Sequence, residues 1–149
     1  MIHLTIATTA SAIAVLRIVL AVLGILTVYV GIDTAFGGIA TLGMQGPTNF
    51  FEIADQNAFM VRDSHARFLG GVWLAAGLLL IGGAVRLAAF REAVLAVCAM
   101  AVIGGLVRLA GGGISLFSNA GLGVALFIEL VVFPVLAVGL WRSANTKAR

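Results

Sequence analysis

Four apolar runs, at residues 10–30, 66–85, 93–110 and 120–140, constrain this chain more than any other feature in it. At 1.5 Å of rise per residue, about 20 helical residues span the roughly 30 Å hydrocarbon core of a bilayer. The expected fold is therefore all-α: an integral membrane four-helix bundle forming a single domain over residues 1–149, with a long outer loop. Composition agrees, since 62% of the residues are hydrophobic and 10% charged, against about 25% charged in an ordinary soluble domain.

The same reading removes several function classes. The net charge of +3 comes from scattered arginines without a basic run interleaved with aromatics, so nucleic acid is not an expected partner. Cys98 is the single cysteine and falls inside the third run; it reads as a packed core thiol. His3 and His65 are far apart and no Cys/His cluster has ligand spacing, so neither a metal site nor c-type haem attachment is expected, and any cofactor stays unknown. The first run is too long for a secretory signal and its first cation, Arg17, lies within it, which marks a retained helix.

Arg86 and Arg91 flank the link between the second and third runs, and Arg142, Lys147 and Arg149 follow the fourth. By the positive-inside rule that side is cytoplasmic, which predicts a multi-pass protein of a bacterial inner membrane with both termini inside. The outer connection before His65 carries Asp33, Glu52, Asp55 and Asp63 against Arg62. After its glycines and Pro47, Thr48 or Asn49 would cap a short amphipathic helix through Val61, with Phe50, Phe51, Ala54, Ala58 and Val61 on one side. Such a helix either rests at the interface or forms a lid.

Glu129 is the most informative single residue, because a carboxylate at the centre of a membrane helix costs on the order of 2.5–3.5 kcal/mol on insertion scales and calls for a partner. Arg17, Arg67 and Arg108 supply matching cations, each on a face with small residues: Arg17 with Ala14, Ala21, Gly24 and Gly31; Arg67 with Gly70 and Gly71; Arg108 with Ala101, Gly104 and Gly105. Glu129 shares its face with Gly121, Leu122 and Ala125. Charges on such faces are expected to project into the bundle while bulky residues face lipid. Arg17 either follows that pattern or snorkels to the inner headgroups. Glu129 reaches Arg67 and Arg108 directly or through water. Pro134 removes a backbone donor and frees the Leu130 carbonyl, so the fourth helix should bend beside the carboxylate. His65, at the outer mouth, either titrates near neutral pH or simply faces solvent. The charge network holds a ligand or fixes helix register.

The stretches DSHARFLGGVWLAAG from Asp63, IGGLVRLAGGG from Ile103 and IELVVFPVLAVGLW from Ile128 resemble an uncharacterised bacterial membrane family, the domain-of-unknown-function family forty-three forty-five, itself similar to the DoxX-like four-helix group. The family's arginine before a double glycine, arginine near the end of the third helix and glutamate in the fourth fall on Arg67 with Gly70 and Gly71, on Arg108 and on Glu129. The resemblance implies the four-helix fold and points to no established activity.

Three functions follow as expectations. The leading one is a non-catalytic membrane module that holds the polar head of a lipid or quinone-like ligand, or a membrane partner subunit or second copy, through Arg67, Arg108 and Glu129, with Arg17, His65 and Pro134 around them. The second is an accessory subunit of a quinone-linked redox complex, whose cofactor chemistry a partner would supply. The third is a small proton-coupled transporter in which Glu129 titrates.

Overall fold

The computed structural model describes residues 2–41 and 52–145, and among these every regular element is helical. The elements are α1 (Ile2–Gly37), a 3-10 turn (Gly38–Ala40), α2 (Gln56–Val85), α3 (Leu87–Gly112), a second 3-10 turn (Ile114–Ser118), α4 (Ala120–Phe127), a π-helical turn (Ile128–Val132) and α5 (Phe133–Asn145). Four helical stretches are long and apolar enough to cross a bilayer: Ser11–Ala40, Gln56–Val85, Leu87–Gly112 and Gly121–Ser143. The chain is a multi-pass membrane protein.

Local chemistry sets the helix ends. Asp55 caps α2, its Oδ1 accepting from the amides of Asn57 at 2.9 Å and Ala58 at 3.1 Å, which satisfies two of the donors that every helix start leaves open. The helix then runs unbroken through the stretch expected to be a separate amphipathic segment. That expectation is corrected for residues 56–61, which are the first turns of the second span; Thr48, Asn49, Phe50 and Phe51 lie outside the described residues. Between α2 and α3 the helical path breaks at Arg86 alone, with φ −131° and ψ 66°. Gly113 ends α3 at φ 68°, a left-handed conformation that suits glycine, and Asn119 starts α4 by accepting from the Leu122 amide at 3.2 Å.

The chain divides into two compact units, Val19–Val85 and Met1–Ile18 with Arg86–Arg149. In the first, α1 and α2 pack through small residues. Gly31 lies against the backbone of Leu74, and Gly70 against that of Ala35, so closely that a Cβ at either glycine would overlap the other helix. Leu20, Leu23, Ala76 and Leu80 are buried in the same unit. Gly24, Gly31 and Gly70 thus lie where the small-residue reading places them, but Gly71 is exposed with open space around it.

In the second unit α3 packs along the fourth span. Val94, Val97, Cys98, Ala101 and Gly105 are buried on α3. Opposite them Leu126, Glu129, Phe133, Leu136 and Leu140 are buried at steps of three and four residues, the spacing of one helix face. Here the inward face is bulky. Gly121 is exposed and Leu122 and Ala125 are half-buried, which corrects the expectation that small residues would mark the buried side of the fourth helix.

Candidate functional site

Glu129 is buried at 7% exposure, and Thr34 is the other buried polar residue among the described ones. Arg108 meets the carboxylate directly and in bidentate fashion: Nε donates to Oε2 at 3.3 Å and Nη2 to Oε1 at 3.1 Å. Two parallel bonds of this kind fix the mutual orientation of fork and carboxylate. Burial is unequal across the pair, because the Glu129 side chain is 9% exposed and that of Arg108 38%. The carboxylate is thus enclosed, while the guanidinium keeps Nη1 free of hydrogen bonds to the described residues.

The backbone around Glu129 explains how the two groups meet. Glu129 sits in the π-helical turn, where the Phe133 amide donates to the Ile128 carbonyl five residues back. Pro134 accounts for the wide turn: in a regular α-helix its ring would strike the carbonyl of Leu130, and it has no amide to donate. The bend expected at Pro134 therefore takes the form of a π turn, an irregularity frequent at functional sites. Gly105 makes the approach of α3 possible. A Cβ there would lie 2.8 Å from Glu129 Cβ and 2.9 Å from Leu130 Cδ2.

The remaining cations engage other partners. Arg67, in the first unit, donates from Nε to Asp63 Oδ2 at 2.6 Å and from Nη1 to the carbonyls of Phe36 at 2.6 Å and Ala35 at 3.3 Å. Asp63 Oδ1 accepts the Ile39 amide at 2.9 Å. Together with Gly38 at φ 66°, and Thr41 Oγ1 bonded to the Asp33 carbonyl at 3.0 Å, these groups close the C-terminus of α1, whose last carbonyls attract a cation. Arg67 is thus a helix-capping residue held by Asp63. The Asp63–Arg67 spacing of four residues was a legible signal for this pair.

His65 is exposed, and its Nδ1 lies 2.7 Å from the Val61 carbonyl, which fixes that nitrogen as the proton-bearing one. Arg17 is exposed and makes no hydrogen bond or ion pair with the described residues. Of the six residues singled out from sequence, Arg108, Glu129 and Pro134 come together. No group of three or more His, Cys, Asp or Glu side chains suited to a metal occurs among the described residues. A cavity of about 480 Å³ lies beside the start of α2, where Ile39, Ile53, Ala58 and Phe59 form apolar walls and Glu52, Asp55 and Arg62 the polar ones.

The family model described as Domain of unknown function (DUF4345) matches residues 15–140. No curated protein and no solved structure matches the chain.

Proposed function

The chain belongs to the DUF4345 family, and on that premise we propose that it is a non-catalytic membrane module whose Arg108–Glu129 pair holds the polar head of a lipophilic ligand or an acceptor group of a membrane partner. The observation that carries this reading is the unequal burial of the pair, 9% for the Glu129 side chain against 38% for Arg108. An ion pair serving only to fix helix register would be equally well served with both groups enclosed. Here the enclosed carboxylate orients the guanidinium and offsets its charge, and Nη1 remains to donate to an oxygen acceptor. Val107 and Leu106, exposed beside it, suit the apolar part of an amphiphile; apolar walls with a few placed polar groups are the usual make-up of a ligand site.

Orientation belongs to the same proposal. Arg86, Arg91 and Arg142 stand at the α2–α3 break, in α3 and in the last turn of α5. The positive-inside rule makes their side cytoplasmic, in a bacterial inner membrane with both termini inside.

Native mass spectrometry with lipid extraction tests the reading on protein released gently from membranes, comparing wild type with Glu129→Gln and Arg108→Ala. A defined ligand or partner present on wild type and lost from both folded variants supports it. Wild type that carries nothing specific assigns the pair to structure alone. Proton-dependent uptake abolished by Glu129→Gln would instead make the protein a carrier.

A further inference from the structure

Between Arg108 and Glu129 the chain carries no Asp, Glu, Lys, Arg or His. Along the two helices the nearest charged residues are Glu92, 16 residues from Arg108, and Arg142, 13 residues from Glu129, about 24 and 20 Å away at 1.5 Å per residue. Neither Arg108 nor Glu129 has a further charged partner among the described residues. One guanidinium and one carboxylate, joined by bonds of 3.1 and 3.3 Å, therefore make a site with no net charge.

Its surroundings are apolar. Ile103, Leu106 and Val107 of α3 are each more than half exposed, and past the end of that helix Ile114 and Phe117 are exposed as well. In a chain that spans a membrane, aliphatic side chains so uncovered lie against acyl chains. An anion brought to Arg108 there gives up its hydration. The guanidinium offsets little of that loss, because Coulomb attraction falls only with the inverse of distance and the carboxylate on its other side takes much of it back. An uncharged oxygen loses far less on leaving water. It still accepts the bond that Nη1 has to donate, since arginine is all donor and no acceptor.

We infer that the head held by Arg108 is an uncharged oxygen acceptor, a carbonyl or ester of the kind an acylglycerol carries, and that Glu129 sets this selection by cancelling the guanidinium charge. The inference rests on the amphiphile reading proposed above for the pair.

Competition between dioleoylglycerol and dioleoylphosphatidic acid, which differ by one phosphate, tests this on the full chain in a neutral detergent. Lipid retained after washing is extracted and quantified against Arg108→Met/Glu129→Leu, which fills the space of the pair but lacks both polar groups. Wild type should retain dioleoylglycerol in preference by about tenfold. Glu129→Gln keeps an acceptor beside Arg108 but leaves its charge uncancelled, and should reverse the ratio in favour of the phosphatidic acid. Arg62→Gln, which replaces an exposed arginine on the first turns of α2, should keep the wild-type ratio. Wild type that holds phosphatidic acid equally or better, above the level of the double variant, overturns the inference and leaves the amphiphile reading standing. Retention of neither lipid above that level overturns both. A folded Glu129→Gln that still prefers dioleoylglycerol also overturns the inference, and the wild-type ratio decides it where a variant fails to fold.

Discussion

Gly104 and Gly105 are neighbours on α3 and give a matched pair of substitutions. Each Gly→Ala change in a helix interior gains about 0.5–1 kcal/mol from propensity alone. At Gly104 nothing lies within 4 Å of the added Cβ, so the gain should be realised. At Gly105 the new Cβ would stand 2.8 Å from Glu129 Cβ, 2.9 Å from Leu130 Cδ2 and 3.1 Å from Leu130 Cγ, where carbon atoms prefer roughly 3.5–4.0 Å. Leu130 can turn aside, but the Glu129 Cβ is fixed to the π-turn backbone, which must retreat by about 0.7 Å to reach ordinary contact. The same retreat stretches the Arg108–Glu129 bonds, now 3.1 and 3.3 Å, beyond hydrogen-bonding length. Overpacking of this kind costs about 1–3 kcal/mol, so Gly105→Ala should be less stable than Gly104→Ala by roughly that amount. Thermal unfolding of both variants in one detergent measures the difference. Equal midpoints, or a higher one for Gly105→Ala, would refute the claim that this glycine sets the approach of α3 to Glu129.

Arg108→Ala should destabilise more than Glu129→Gln, since the first strands an enclosed carboxylate and the second leaves a partly solvated guanidinium. Denaturation should put the former at about 2–4 kcal/mol, below the range for fully enclosed pairs because Arg108 is partly exposed, and the double variant Arg108→Met/Glu129→Leu should recover most of the loss. Pro134→Ala restores a backbone donor, so α5 should extend as regular α-helix with stability unchanged or raised; hydrogen exchange at residues 130–134 should slow, and the coupling between Arg108 and Glu129 in a double-mutant cycle should fall. Gly38→Ala forces a side chain into left-handed backbone, at about 1–2 kcal/mol, and into Asp63; faster amide exchange at residues 35–39 would register the loss of the α1 cap.

Hydropathy alone located all four spans, because about 20 apolar residues admit few structures other than a membrane helix. The helices that carry them are longer. α1 and α2 run past the apolar runs because the chain stops a helix with Gly38 and starts one with Asp55, and neither signal registers as hydropathy. The Arg108–Glu129 pair was legible from the need of a deep carboxylate for a cation. The destination of Arg67 was not, since its acceptors include the backbone carbonyls of Ala35 and Phe36, which have no signature in side-chain identity. Nor was the π turn: the three- and four-residue spacing of Leu126, Glu129, Phe133, Leu136 and Leu140 reads as one face with or without it, and Pro134 announced only a disturbance. Small-residue faces predicted the α1–α2 seam and failed in the fourth span, where leucines and Phe133 fill the space that Ala101 and Gly105 leave on α3.

Mechanically, the fourth span is two stiff pieces joined by a compliant one. α4 and α5 hold their lengths through regular bonding, whereas the π turn between them gives up that regularity over Ile128–Val132 and is the place where bending takes least work. Glu129 is mounted on that pivot, and Arg108 grips it from α3. A pull on the guanidinium therefore acts as torque about the pivot, changing the angle between α4 and α5 before it deforms either of them.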